Sequence, residues 1–211
     1  MVNKIITVAT VLIFVLVSMP VLAFSQDDLK QRAIRIVDKL TSKVGVPEPI
    51  EINIYSKLNI GDLAHFSAPK ERPTLNINGW FFANLSDKAL TYVLAHELGH
   101  YFDSKLHLIL SQIGFELNGQ FMADTFALYV LGEDLFRAGR NEMTLMYYYN
   151  VDSTEKWLME NDPTYYNLQL NYVHQRTEWW LIKAKQNLDQ VPSLILHRNS
   201  YPINSAFKST R

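Results

Sequence analysis

The chain has 211 residues, of which 48% are hydrophobic, with 8 Gly and 8 Pro. These proportions are typical of one folded domain and exclude a disordered or fibrous chain. The charges nearly balance, with 20 Lys and Arg against 21 Asp and Glu, so no basic surface for nucleic acid is expected. Because the chain has no Cys, a metal or catalytic site must use His, Asp, Glu or neutral oxygen atoms.

The first 23 residues differ in composition from the rest. Lys4 precedes an apolar run at residues 5–17, Pro20 interrupts any helix, and Ala23 is the small residue favoured at a signal peptidase site. We therefore predict a signal peptide at residues 1–23 and a periplasmic or secreted protein. The alternative is a retained N-terminal anchor, which would keep the protein near a membrane. Residues 24–211 are predicted to form a single domain.

A helix and two strands are predicted before the central motif of the chain. Ser25 can cap a helix that ends near Gly45. Apolar and polar residues alternate at 50–54 and again at 74–78, where the apolar residues 80–82 extend the second strand, while residues 61–73 read as a loop. A small sheet before a helical remainder indicates an α+β fold.

The next predicted helix carries the strongest functional signal. Ser86 can cap this helix, with the acidic Asp87 in its first turn, and His96-Glu97-Leu98-Gly99-His100 follows. This is the H-E-x-x-H arrangement of zinc-dependent hydrolases. His96 and His100 share one side of the helix, with Glu97 at its margin, where a base can act without binding the metal. Another side is predicted to be buried and consists of Leu90, Val93, Leu94, Leu98 and Tyr101.

Catalytic zinc needs a third protein ligand. His107 shares the side of His96 and His100, although an exposed surface role is favoured for it. The metzincin spacing requires a glycine at position 103 and a histidine at position 106, whereas this chain has Asp103 and Leu106. That spacing is therefore excluded, and Asp103 is expected to orient an imidazole or to cap a neighbouring group.

A second helix is predicted from Gly119 to Gly132. The H-E-L-G-H core, followed about 25 residues later by Ala123-Asp124, resembles the gluzincin peptidases of the CAAX-prenyl-protease and HtpX-like branch. The resemblance covers residues 75–131. It implies a zincin-like fold and a zinc endopeptidase with one zinc ion, in which a glutamate four positions before Asp124 completes the site.

This chain departs from the family at that third position, where it has Gln120. An amide oxygen is a neutral and uncommon zinc ligand, so weaker zinc binding is expected. Gln120 matches the family by position. Asp124 has the more suitable chemistry, but the family implies that it orients an imidazole. Glu116, one turn earlier, is a further alternative that would lie outside the predicted helix.

The motif predicts an exported metallopeptidase that hydrolyses peptide bonds of a peptide or protein substrate. Zinc would activate water, and Glu97 would take the proton of that water and return it to the leaving amine. The strand at residues 75–78 is predicted to be an edge strand that pairs with extended substrate. The alternative is a catalytically impaired relative that binds a peptide or protein partner, which Gln120 favours and Glu97 disfavours.

The C-terminal half is predicted to be helical, with a turn at Asp162-Pro163 and an irregular tail from Pro192. His174 and Arg176 are candidates for stabilising an oxyanion, although surface or packing roles are favoured for both. Three aromatic groups are candidates for a binding groove, although core packing is favoured for them, namely Tyr147-Tyr148-Tyr149, Tyr165-Tyr166 and Trp179-Trp180.

Overall fold

The structure is a computed structural model that describes residues 25–46, 49–56, 63–67, 73–110, 119–151 and 153–200. The predicted signal segment at residues 1–23 and Glu116 lie outside this part of the chain, as do the side chains of Asp103 and His107. Within the described residues, no helix has the length and apolar composition needed to cross a lipid bilayer.

The described residues form a mainly helical α+β fold with one small sheet. Its three strands all precede the motif helix, and the sequence predicts two of them. In chain order the elements are α1 Gln26–Val44, β1 Glu51–Tyr55, β2 Ala64–Ser67, β3 Thr74–Asn78, α2 Gly79–Phe82, α3 Asp87–Leu110, α4 Gly119–Leu131, α5 Glu133–Val151, α6 Ser153–Asn161, α7 Pro163–Lys185, a 3₁₀ turn at Leu188–Gln190 and α8 Val191–Ser200.

The sheet is mixed, with strand order β1-β3-β2. β3 pairs in parallel with β1, placing Ile52 beside Leu75, and antiparallel with β2, placing Phe66 beside Leu75. The prediction that residues 75–78 form an edge strand is therefore wrong, because β3 has a partner on each side. The predicted loop at 61–73 is also wrong in part, because Ala64–Ser67 within it forms the strand β2.

The chain turns directly from β3 into a short helix instead of continuing as a strand through residues 80–82. The side chain of Asn78 accepts a hydrogen bond from the Trp80 amide at 3.3 Å, which caps the helical turn α2. Phe81 and Phe82 are buried in the core by this turn. Their hydrophobicity therefore reflects burial in a helical turn, and the predicted extension of the strand is wrong.

Capping residues define the ends of α1 and the start of α3. The Ser25 hydroxyl accepts from the Asp28 amide at 3.0 Å, and Gly45 ends α1 with a left-handed φ of 67°. At α3 the Ser86 amide donates to Glu142 of α5 at 2.7 Å, and the Ala89 amide approaches the Ser86 hydroxyl at 3.4 Å. Both predicted helix starts are confirmed.

The core lies between the sheet and helices α1, α3 and α4. Leu75 and Ile77 of β3 are fully buried there, with Leu29 of α1 and Phe126 of α4 almost so. The predicted buried side of α3 is confirmed, because each of its five residues is at most 7% exposed: Leu90, Val93, Leu94, Leu98 and Tyr101. His96 and His100 lie on another side of α3 and are less buried than these five residues.

Two predictions for the C-terminal half are corrected. Residues 192–200 of the predicted irregular tail are helical, and residues 201–211 lie outside the described part of the chain. The predicted aromatic core is wrong for Tyr166 and Trp179, which are 41% and 48% exposed. The predicted turn is confirmed, since Asp162 caps α7 and Pro163 occupies its first turn.

Candidate metal centre

Helices α3 and α4 approach closely beneath the H-E-x-x-H motif. A Cβ atom built on Gly99 would lie only 2.5 Å from the Cα of Ala123. Only glycine allows the two backbones to come so close, and Ala123 adds little bulk on the other side. This contact brings the first two turns of α4 next to His96 and His100.

The Gln120 amide of α4 lies between the two imidazoles. Its Oε1 is 3.1 Å from His96 Nε2, and its Nε2 is 3.4 Å from His100 Nε2. The two rings are 4.8 Å apart and nearly perpendicular. The ring nitrogens and the Glu97 carboxylate also form a cluster whose possible ligand atoms all lie within 4.8 Å of one another. Of the two proposed third-ligand residues on α4, Gln120 is the one facing both Nε2 atoms.

Asp124 contacts the other nitrogen of His96. Its Oδ1 is 2.8 Å from His96 Nδ1 and accepts a hydrogen bond from the Tyr92 hydroxyl at 2.7 Å. Its Oδ2 accepts from Arg140 Nη1 at 2.8 Å. A carboxylate on Nδ1 fixes the ring orientation and leaves Nε2 to face Gln120. Asp124 thus lies behind the imidazole, on the side away from Gln120, and is fully buried.

Arg140 on α5 completes this buried network and was not among the residues predicted from the sequence. It donates to Asp124 and to the Tyr92 hydroxyl, and its guanidinium lies 4.4 Å from the ring centroid of Trp180. A close helix contact permits this reach, because a Cβ on Gly139 would lie 2.5 Å from the Tyr92 Cβ. The available signal was Gly139-Arg140 inside a helical segment, since glycine in a helix often marks close packing.

The network shifts the pKa values of its members in opposite directions. Burial disfavours the charged form of His96, but the Asp124 carboxylate outweighs it and raises the His96 pKa. Burial likewise opposes ionisation of Asp124, yet His96 and Arg140 lower the Asp124 pKa. Burial and the neighbouring His96 lower the pKa of His100 to about 4. His100 is therefore neutral at physiological pH and can offer a lone pair.

An open cavity of about 460 Å³ gives access to these groups. Its walls include Glu97, which is 8% exposed, together with both histidines and Gln120. Residues 63–66, the start of β2 and the residue before it, also line this cavity. Among the described strands, β2 pairs only with β3, so one edge of β2 has no strand partner among them.

The predicted oxyanion residues lie elsewhere. His174 is exposed on α7, and Arg176 donates to the Tyr148 hydroxyl at 3.0 Å. Neither lines the cavity that contains Glu97. Arg140 is the cationic side chain among the residues lining that cavity.

Comparisons with protein families, curated proteins and solved structures found no match to this chain.

Proposed function

We propose that this protein is a zinc-dependent peptidase in which His96, His100 and Gln120 hold one zinc ion. The observation that carries the proposal is the convergence of the Gln120 amide and two imidazole Nε2 atoms from two helices, at 3.1 and 3.4 Å. Glu97 lies in the same open cavity. The resemblance to gluzincins and a zincin-like fold is part of this proposal.

One separation between candidate ligand atoms, from His96 Nε2 to Gln120 Oε1, fits a tetrahedral zinc site. Two ligands bound to one tetrahedral zinc at about 2.0–2.1 Å are about 3.3 Å apart. The distance from His96 Nε2 to Gln120 Oε1 is close to this value at 3.1 Å. Neutral imidazole suits zinc, and the low pKa of His100 favours its neutral form. The Asp124 contact at Nδ1 gives His96 the carboxylate support common among metal-binding histidines.

Glu97 is the proposed general base. When bound, zinc would supply Lewis-acid chemistry that acidifies water and polarises the scissile carbonyl. Glu97 accepts a proton from the attacking water and donates it to the leaving amine as the peptide bond breaks. The substrate is proposed to lie extended along β2, Ala64–Ser67, which lies at the cavity. In this proposal β2, and not residues 75–78, pairs with the substrate.

A second candidate function is a peptide-binding protein without catalysis. The Gln120 amide is within hydrogen-bonding distance of both imidazoles, so the site can be satisfied without an ion. This arrangement favours weak zinc binding, because metal must replace contacts that the side chains already make. The same cavity would then bind a partner polypeptide.

Both candidates include export to the periplasm or the medium, which rests on the composition of residues 1–23. Retention of this segment as an anchor is the alternative and would keep the site near a membrane.

Metal analysis combined with peptide cleavage distinguishes the two candidate functions. The peptidase is expected to hold one zinc per chain and to cleave casein-derived peptides. Glu97→Gln should keep the zinc and lose at least about a hundredfold in kcat, since the variant retains the ligands but not the base. A folded, metal-free and inactive wild type would rule out the peptidase and leave the binding protein.

A further inference from the structure

One exposed face of α7 carries aromatic and cationic side chains in a continuous line. At 100° per residue, the five residues of this α7 stripe fall within about 100° of the helix circumference. They are Tyr172, Arg176, Trp179, Trp180 and Lys183. The stripe combines large flat rings with positive charge, a composition that does not match an ordinary solvated helix face.

Trp180 connects the stripe to the candidate metal centre. It lines the cavity that contains Glu97 and also a second surface depression together with Tyr172 and Trp179. Its ring packs against the Arg140 guanidinium at 4.4 Å and against Phe121 at 4.5 Å. Arg140 and Phe121 therefore hold the Trp180 ring in place. The same ring forms part of the wall of both depressions.

Tyr172, Arg176 and Trp179 are exposed, whereas Lys183 is half-buried, and contacts with neighbouring side chains hold the stripe in place. Trp179 is 48% and Tyr172 49% exposed, and the two tryptophan rings meet edge to face at 5.4 Å. Arg176 donates to the Tyr148 hydroxyl at 3.0 Å. A partner could therefore contact these rings with little additional ordering of side chains.

Within the described residues, no ion pair includes either cation of the stripe. The ion pairs found in the described part of the chain use Arg32, His96, Arg137, Arg140 and Lys185, and none includes Arg176 or Lys183. Lys183 instead lies 5.9 Å from the Trp179 ring. A ligand with carboxylates and bulky apolar groups complements both properties.

We propose that the α7 stripe binds an acidic, aromatic segment of the substrate polypeptide outside the cleavage position. The part of the stripe from Tyr172 to Trp180, which lines the second depression, is about 12 Å long and matches about four residues of extended chain. This inference rests on the proposed function and names the substrate class of the same site. A second copy of this face is disfavoured as the occupant, because symmetric pairing would bring the cations of both copies together.

Peptide binding to the Glu97→Gln protein tests the proposal without requiring turnover. The probes are fluorescein-labelled octapeptides of four alanines followed by Trp-Glu-Trp-Glu or by Trp-Lys-Trp-Lys, each also made with the blocks in reverse order. Fluorescence anisotropy titrations identify which of the two acidic peptides binds more tightly. This peptide should bind at least tenfold more tightly than the lysine peptide with the same block order. Equal affinity of the acidic and basic peptides would overturn the proposal.

Exposed-residue variants assign the preference to the stripe. Arg176→Glu should abolish the tenfold preference, Arg176→Gln should reduce it, and Trp179→Ala should weaken the acidic peptide at least fivefold. The matched control is Lys39→Glu on α1, an exposed charge reversal outside both depressions that should leave the ratio unchanged. Circular dichroism checks the fold of each variant. An unchanged ratio in both folded Arg176 variants would contradict the assignment.

The result is independent of hydrolysis. Peptide cleavage by the wild type without the acidic preference would refute the stripe alone. The acidic preference in a chain that neither binds zinc nor cleaves peptide would support the stripe and refute the peptidase.

Discussion

The candidate site is arranged around the carboxylate of Asp124. It is fully buried and contacts His96, Tyr92 and Arg140. A buried carboxylate is costly unless its oxygens are hydrogen-bonded and its charge is paired. Each partner therefore contributes to stability as well as to the orientation of His96.

Tyr92→Phe tests this network by removing a hydroxyl that donates to Asp124 and accepts from Arg140. The substitution keeps the ring, which is 1% exposed, and removes the hydroxyl that donates to Asp124 at 2.7 Å. We expect the free energy of unfolding of the metal-free protein to fall by about 1–2 kcal/mol in urea denaturation. The matched control is Tyr129→Phe, whose ring is 45% exposed and should change stability by less than about 0.5 kcal/mol. Equal effects of the two substitutions would contradict the network.

The His96–Asp124 pair predicts how stability of the metal-free protein depends on pH. Because the folded His96 pKa is raised, its contribution is fully present below the unfolded value of about 6.5 and is lost as pH rises through the folded pKa. The lowered Asp124 pKa gives a contribution present above the unfolded carboxyl pKa and lost as acid protonates the folded group. Urea denaturation in EDTA should show both losses. Asp124→Asn should remove the alkaline one, and its persistence would contradict the assigned cause.

Two close helix contacts position the site at the level of elements. Gly99 lets α4 reach the motif helix α3, and Gly139 lets α5 reach the same helix. The first contact positions Gln120 and Asp124 at the site, and the second positions Arg140. The site therefore depends on the spacing of three helices, and an added methyl group at either glycine should disturb it.

Gly99→Ala tests this spacing. The new Cβ would meet the backbone of Ala123 at 2.5 Å, so α3 and α4 must separate. We expect a loss of about 1–3 kcal/mol in unfolding free energy and a weaker zinc affinity in a chelator competition assay. The control is Gly132→Ala, where nothing lies within 4 Å but φ is 78°. It should lose about 1–2 kcal/mol through backbone strain and keep the zinc affinity. If both variants bind zinc like the wild type, the helix contact does not set the site.

Local signals predicted the helices better than the sheet. The caps at Ser25 and Ser86 and the turn at Gly132 act within a few residues, so the sequence reveals them. Strand order depends on which segments meet in space, and a local pattern does not show this. The sequence therefore predicts neither β2 nor the central position of β3. Arg140 was missed for the same reason, since its partners are 16 and 48 residues away.

On the scale of the whole molecule, zinc should act as a stabilising ligand. The two histidines come from α3 and Gln120 from α4, and these helices supply much of the core, so an ion bound there favours the folded chain over the unfolded one. Zinc at a hundred times its dissociation constant would add about 2.7 kcal/mol. The chain also lacks disulfides, because it has no Cys. Its stability must therefore come from the core and from any bound ligand.

Thermal unfolding should report this linkage. For a domain of this size we expect zinc to raise the Tm by about 5–10 °C over the EDTA-treated protein. His100→Ala removes one proposed ligand and should abolish the shift, whereas His174→Ala, at an exposed position of α7 that does not line the cavity, should retain it. A shift of the same size in both variants would mean that zinc binds elsewhere.

The zinc affinity of wild type, Gln120→Glu and Gln120→Ala, measured by chelator competition at one pH, tests the proposed ligand set most directly. A carboxylate at this position adds a charged ligand, so Gln120→Glu should bind at least about tenfold more tightly than wild type. Gln120→Ala should bind zinc more weakly than wild type, because only His96 and His100 of the proposed ligands remain. Identical affinities of all three proteins, or no zinc binding by any of them, would contradict a metal centre built from His96, His100 and Gln120.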